Sequence, residues 1–239
     1  MNNIIIVPTL NEKENIKILF NKLTATKIKF DLLFIDDNSI DGTQDEIREL
    51  IKKNQNIYCT FRPKKAGIGS AHKDGFVWSY KKKYKTIITM DADGTHDPKY
   101  ISFMIEKLKN FDIVTTSRFL EKNALKGWPI FRVFLTTLRH VTISLLLSIP
   151  YDSSGAFRCI NCKKVSLADI ILAKNNSYSY LWESIFILHK KKYRIGEIFV
   201  QLPFRKIGSS KMNMKDIFFS IYYLLVIFIK KILGKYNYK

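Results

Sequence analysis

At 239 residues and 46% hydrophobic, the chain can bury a sizeable core as one domain, or as one domain with a small appendage. Its formal net charge of +19 favours anionic partners such as nucleotides, phospholipid head groups or nucleic acid, with lysine spread along the chain rather than gathered in a tail. Three cysteines, Cys59, Cys159 and Cys162, exclude a disulfide framework.

The apolar run Ile4-Ile5-Ile6-Val7 predicts a first strand directly after Met1-Asn2-Asn3. With no leader ahead of it, a reducing cytoplasm is the expected setting. Helical spacing follows from Glu12 to Leu23, then a strand at Leu32-Leu33-Phe34-Ile35 and a helix from Thr43 to about Lys53. Ile57 to Phe61 predicts a third strand, Gly69 to Ser79 a helix and Thr86 to Met90 a fourth strand. Pro98 opens a helix over Lys99 to Lys109, and Asp112 to Thr116 is the fifth strand. Short apolar strands without alternation, separated by helices, predict an α/β fold with a mainly parallel sheet covered on both faces.

From Trp128 the pattern changes. Ile130 to Ile149 is apolar but interrupted by Arg132, Arg139 and His140; it is too charged in its first half to span a bilayer and predicts one or two amphipathic, membrane-facing helices. Ile217 to Ile229 is more apolar, yet shorter than the roughly 20 residues a spanning helix needs. Flanked by Lys215, Lys230 and Lys231, with Tyr222, Tyr223 and Tyr236 nearby, it suits a helix lying in an anionic interface; the alternative is a core helix packed on the sheet. The expected organisation is a main domain over 1–212, including interfacial helices at about 128–149, and a lysine-flanked apolar helix and tail over 213–239.

Each predicted strand ends in a polar cluster. These are Pro8-Thr9-Leu10-Asn11-Glu12, Asp36-Asp37-Asn38-Ser39, Arg62 to Gly69, Asp91-Ala92-Asp93-Gly94-Thr95-His96 and Ser117-Arg118. Ligands of open α/β sheets bind beyond the carboxyl ends of the strands. Asp91 and Asp93, one residue apart at such an end, suit a hard divalent cation. Glycines that admit close backbone approach, with Lys64, Lys65 and Arg118 for phosphate, complete the pattern of a nucleotide-diphosphate site. Gly67-x-Gly69 is no dinucleotide fingerprint, and no Walker pattern exists, which weighs against NAD-dependent oxidoreductases and P-loop ATPases. Cys159-x-x-Cys162 lacks the second ligand pair of a structural zinc site and reads as two core thiols.

Taken in order, those clusters together with Gly155-x-Phe157-Arg158 resemble the family 2 (GT-A) glycosyltransferases. Within them the chain is most similar to dolichol- or polyprenol-phosphate mannosyltransferases, from about residue 3 to residue 212. Later matches are Gly127-Trp128, Arg132, Glu183, Gly196-Glu197 and Arg205-x-x-Gly208-x-Ser210-Lys211. The resemblance implies a GT-A fold, a nucleotide-sugar donor (GDP-mannose), a polyprenyl or dolichyl phosphate acceptor and work at the cytoplasmic face of a membrane. Pro8, Thr9, Glu12, Asp37, Gly67, Asp91, Ala92, Asp93, Arg205 and Lys211 would hold the donor. Asp91 and Asp93 would bind Mg²⁺ or Mn²⁺; Asp93, Arg118 and Arg132 would be catalytic, and Arg118 and Arg132 would meet the acceptor phosphate, the alternative being an arginine paired with a nearby carboxylate such as Glu121. Leu10 stands where the family usually has Tyr, and Thr95 where several relatives carry a Gln metal ligand.

The chemistry is consistent with that implication. A phosphate monoester is largely dianionic near neutral pH, so its oxygen attacks the sugar's C1 without a strong general base. The site must then hold two anionic phosphate groups together, which calls for arginines and a cation. Attack opposite the leaving group inverts the anomeric centre. A hydroxyl acceptor would instead need a carboxylate base, for which Glu183 and Asp93 are candidates. A polyprenyl-phosphate glucosyl- or N-acetylhexosaminyltransferase using a UDP-sugar is the closest rival. A nucleotide-sugar pyrophosphorylase would carry glycines after the first strand. A nucleic-acid module would not place acidic clusters at successive strand ends, so nucleic acid is not an expected partner.

Overall fold

Asn3–Thr9 (β1) sits near the centre of a seven-stranded sheet whose order is completed by Asp31–Asp36 (β2), Ile57–Phe61 (β3), Thr86–Thr89 (β4), Ile113–Ser117 (β5), Arg158–Asn161 (β6) and Ile195–Phe199 (β7). The computed structural model describes residues 2–203 and 213–236. Strand order is β3-β2-β1-β4-β6-β5-β7, and every pairing is parallel except those of β6, which runs antiparallel between β4 and β5.

Alternate residues of each central strand are apolar on both sides because both faces are covered. Ile4, Ile6, Leu33 and Ile35 pack on one face, against Ile68–Lys81 (α3) and Ser179–Lys190 (α7). Ile5, Val7, Leu32 and Phe34 pack on the other, under Lys13–Ala25 (α1), Thr43–Lys53 (α2) and Ile101–Lys107 (α4). Close approach on the first face is set by Gly75 of α3, where a Cβ would stand 2.6 Å from the Ile6 side chain.

The five predicted strands and four intervening helices are all present within a few residues of their expected limits, and Cys159 is buried in the core with no disulfide. Four elements of the second half were not predicted: β6, β7, α7 and the short helical turn Leu167–Ile170. β6 is only four residues long and begins with Arg158, whose guanidinium is buried by hydrogen bonds to the carbonyls of Ser153, Gly155 and Leu181 and to Ser184 Oγ. Helix α7 is buried from Ser179 to Leu188, so it shows no polar stripe by which periodicity would reveal it.

The apolar segment after Trp128 forms one helix, Ile130–Leu147 (α5), and the C-terminal run forms another, Met214–Ile232 (α8). This reverses the sequence expectation in one respect. By length and composition α5 is apolar enough to cross a membrane, and only 11% of it is buried. Its arginines nevertheless bind the catalytic body: Arg132 lines the cleft below and Arg139 hydrogen-bonds Ser154. Helix α8 packs on α5 and α7, and Lys231 Nζ donates to Leu146 O and Ser148 Oγ at the end of α5. Leu167–Ile170 (α6) is a single turn beside α3.

Candidate active site

The carboxyl ends of β1, β2 and β4 open into a cleft of about 380 Å³. Pro8, Thr9, Glu12, Asp37, Gly67, Asp91, Ala92, Asp93, Arg118 and Arg132 all line it. Arg205 and Lys211 lie outside the described residues. Lys65 lines the cleft and Lys64 does not; Leu10 and Thr95, the two departures from the expected pattern, also face it.

At the β1 and β2 ends the adjacent aspartates divide the work. Asp36 is fully buried and accepts from Thr9 Oγ1, from the Ser39 amide and hydroxyl, and from Gln44 Nε2, so it knits the two turns together. Thr9 braces the same junction through its carbonyl, which accepts from the Asp37 amide at 2.9 Å. Asn11 closes it from the other side, its Oδ1 accepting from the Ile40 amide and its own amide donating to Ser39 Oγ.

Asp37 faces the cleft, and its oxygens accept from the Ala66 and Gly67 amides and from Arg62 Nη1 at 2.8–2.9 Å. A carboxylate held by two amides and a guanidinium keeps its direction. Gly67 is required there twice over: its φ is +96°, and a Cβ would collide with the Asn176 carbonyl.

At the β4 end Asp93 Oδ1 accepts from the Thr95 amide at 3.0 Å and from the Thr95 hydroxyl at 2.6 Å. Thr95 thus orients the aspartate at the position where a longer amide was expected to act as a ligand. The Asp91 amide donates to His96 Nδ1 at 2.9 Å, which leaves His96 Nε2 facing Asp91 Oδ2 at 3.9 Å; the ring stacks on Phe157. His96 is 6% exposed and the Asp91 side chain 35%, so a buried imidazole backs a solvent-accessible carboxylate. Among the described residues no three His, Cys, Asp or Glu side chains converge as a metal group. Mg²⁺ commonly binds through one or two carboxylates plus substrate phosphates, and the oxygen pair of Asp91 and Asp93 fits a hard cation held that way.

The opposite wall is basic. Arg118 donates from Nε and Nη2 to the two oxygens of Asp152 at 2.7 Å each, and from Nη2 to Ser154 Oγ. The sequence suggested Glu121 as an ion-pair partner for Arg118; Asp152, 1% exposed, takes that place. Burial raises the Asp152 pKa, but the charge and hydrogen bonds of Arg118 outweigh it and bring the group down to about 2. Glu197 Oε1 accepts from the Asp152 amide at 2.7 Å, and burial pushes the Glu197 carboxyl above its ordinary value.

Glu183, matched in the sequence and weighed as a base for a hydroxyl acceptor, is absent from the cleft wall. It is fully buried on α7 and accepts from the Lys174 and Asn175 amides and from the hydroxyls of Tyr223 and Tyr236. It is an anchor for the loop before α7 and for α8. Residues not selected from sequence also shape the site: Asp152 and Ser154 at the basic wall, Ser177 and Tyr178 before α7, and Asp216 in the first turn of α8. The polar run Asp152-Ser153-Ser154-Gly155 just ahead of Phe157-Arg158 was the signal available for the first two.

Comparison with known proteins agrees with this layout. The model of a family described as Glycosyl transferase family 2 matches residues 4–163. The chain is 26% identical over 209 residues to the undecaprenyl-phosphate mannosyltransferase of Micrococcus luteus, covering 87% of this chain and 86% of that protein. It is 25% identical over 217 residues to the polyprenol monophosphomannose synthase of Mycolicibacterium smegmatis, covering 90% and 82%. Among solved structures, glucosyl-3-phosphoglycerate synthase from Mycobacterium tuberculosis, in complex with Mn²⁺, uridine diphosphate and glucosyl-3-phosphoglycerate, superposes with a TM-score of 0.63 at 12% identity. That match covers 99% of this chain and 81% of the other, and at such identity it shows the shared GT-A-like fold.

Proposed function

The chain belongs to glycosyl transferase family 2, and from that premise we propose that it transfers mannose from GDP-mannose to a polyprenyl (dolichyl) monophosphate with inversion, giving a β-linked lipid-phosphate sugar. The observation that carries this reading is the polarity of the cleft. Carboxylates and amide-rich turns line the end formed by β1, β2 and β4, and arginines line the end that meets the exposed apolar helices α5 and α8. A nucleotide diphosphate with a cation suits the first end, and a lipid phosphate suits the second. The two mannosyl relatives carry undecaprenyl phosphate and polyprenol monophosphomannose in their names.

In this reading Pro8, Thr9, Glu12, Asp37 and Gly67 hold the nucleotide, while Asp91 and Asp93 would hold Mg²⁺ or Mn²⁺. The cation supplies neutralisation of charge on the departing nucleotide diphosphate. The Mn²⁺ in the solved neighbour supports a divalent ion in this fold without choosing between the two. Arg205 and Lys211 would complete the donor end. Arg118, held rigid by Asp152, and Arg132 orient the acceptor phosphate so that its oxygen lies behind C1. No protein base is required, because the attacking oxygen already carries charge.

Residues 1–212 form the transferase domain in this proposal, and 213–239 supply a helix and tail that dock it. The enzyme sits at the cytoplasmic face of a membrane as a peripheral or monotopic protein. Phe131, Phe134 and Leu138 on α5, and Phe218, Tyr222 and Leu225 on α8, are all exposed, and Lys215 and Lys230 lie in the first and last turns of α8. Measuring transfer to polyprenyl phosphate and to polyprenol side by side, with GDP-mannose, UDP-glucose and UDP-N-acetylglucosamine as donors, tests it. The expected result is mannose transfer to the phosphate acceptor alone; comparable rates on polyprenol would refute a lipid-phosphate acceptor.

A further inference from the structure

The arginines beside the cleft differ in how their charge is met. Arg118 is matched by Asp152, each of whose carboxylate oxygens it engages at 2.7 Å. Arg158 is buried, and carbonyls and a hydroxyl accept from it. Arg139, on α5, donates from Nη2 to Ser154 Oγ at 3.2 Å and has no carboxylate within ion-pair distance among the described residues. Ser154 Oγ also accepts from Arg118 Nη2 and lies 3.2 Å from Asp152 Oδ1. Two guanidinium groups therefore converge on one neutral hydroxyl in the cleft wall, with one carboxylate between them. The cluster keeps an excess positive charge beside a partly enclosed cleft, where screening is weaker than in bulk water.

Position strengthens the point. Arg132 lines the cleft and lies seven residues before Arg139, two helical turns or roughly 10 Å along the same face of α5. The helix thus presents two cations in line between its exposed apolar surface and the cleft. Ser154 is a weak partner for a guanidinium, and a phosphate accepting two hydrogen bonds from Arg139 would replace it favourably.

We propose that Arg139 is a binding residue of the acceptor subsite, taking the phosphate monoester of the lipid and releasing Ser154 as it does so. The inference rests on the lipid-phosphate reading above and adds a residue to it. Arg118 becomes the fixed, charge-matched wall of the subsite, and Arg139 brings a cation with no directly paired carboxylate among the described residues.

The test compares wild type, Arg139→Gln, Arg139→Lys and Ser154→Ala by steady-state kinetics with polyprenyl phosphate in vesicles and GDP-mannose, with circular dichroism to check folding. Arg139→Gln is expected to raise the KM for polyprenyl phosphate about tenfold, the scale of losing one charge-assisted hydrogen bond. The donor KM and inhibition by GDP should stay within about twofold, the spread of a surface change outside the donor site. Arg139→Lys should fall between, since it keeps the charge and loses the fork, and Ser154→Ala should disturb the acceptor KM less than Arg139→Gln. An unchanged acceptor KM in Arg139→Gln overturns the proposal. So does an equal shift in donor KM or GDP inhibition, which would move Arg139 to the donor diphosphate or to a structural role. Should Arg139→Gln fail to fold, Arg139→Lys decides by the same split. Wild type that uses polyprenol and ignores polyprenyl phosphate would instead remove the acceptor reading itself, before any variant is compared.

Discussion

At the proposed donor end of the cleft Asp93 is held by its own turn, and at the proposed acceptor end a base is held by an acid. Asp93 takes the Thr95 amide and hydroxyl, while Asp37 takes the Ala66 and Gly67 amides and also the buried Arg62 guanidinium. Arg118 is tied down by Asp152, 34 residues further along the chain and itself almost fully buried. The first arrangement, at Asp93, tolerates loss of the side chain with little structural damage, because the Thr95 amide and hydroxyl turn to water or ligand. The second does not, because removing either partner strands a buried charge. The turn at Asp93 is therefore built for chemistry at low structural risk, while the proposed acceptor end couples chemistry to the stability of the fold.

The largest effect that would sharpen this contrast is catalytic. Asp93→Asn is expected to cut turnover by at least ~10²-fold, the scale of losing a main electrostatic element of a site, with the unfolding midpoint nearly unchanged. Chelating divalent cations should abolish transfer, and full activity in excess EDTA would sink the metal assignment.

On the basic side the order reverses. Arg118→Ala should destabilise the protein by about 3–5 kcal/mol, the range for breaking a buried pair, as read by denaturant melts. In whatever remains folded, use of polyprenyl phosphate should suffer far more than binding of GDP-mannose. If Arg118→Ala left stability intact, the coupling of site to fold at this end would be wrong.

The same pair sets a pH dependence. Asp152 has its folded pKa depressed to about 2 from an ordinary 3.8. A depressed carboxylate contributes stability that is present above the unfolded value and is lost as pH falls toward the folded one. Thermal melts of the wild type should therefore weaken between about pH 4 and pH 2, and Asp152→Asn, already destabilised at neutral pH, should lack that component.

Glu183 offers a finer test, since it is a carboxylate matched by sequence but placed away from the cleft. Glu183→Gln is expected to cost about 1–3 kcal/mol through imperfect replacement of its four donors. Turnover of the folded enzyme at a permissive temperature should remain close to that of wild type. A large loss of turnover without a loss of stability would restore it as a base.

The smallest expected effect on the fold concerns docking. Deleting 214–239 would remove Leu224 and Ile227 from the core and Tyr223 and Tyr236 from Glu183, so release after truncation would not isolate a membrane role. Phe218→Ser with Tyr222→Ser changes exposed positions only, 67% and 64% accessible. The pair should weaken vesicle flotation by up to about 1.5–3 kcal/mol per lost aromatic and leave the melting temperature in place. Undiminished flotation would shift the docking surface onto α5.

The five N-terminal strands, the helices between them and the acidic clusters at the strand ends were all legible from the chain alone, for a local reason. A strand buried on both faces must be apolar throughout, and a turn that meets a ligand must carry polar groups beside its own strand; both marks fall within a few consecutive residues. That Asp36 braces the turns while its neighbour Asp37 faces the cleft was not legible, because a one-residue alternation decides it only once the strand is seated. The antiparallel seat of β6, the choice of Asp152 over Glu121 for Arg118, and the capture of Glu183 by tyrosines of the C-terminal segment were likewise decided by tertiary structure. Each joins residues whose own neighbours show no pattern, and each is settled by which buried charge or polar group finds a partner when the sheet closes and α7 is buried beneath α8.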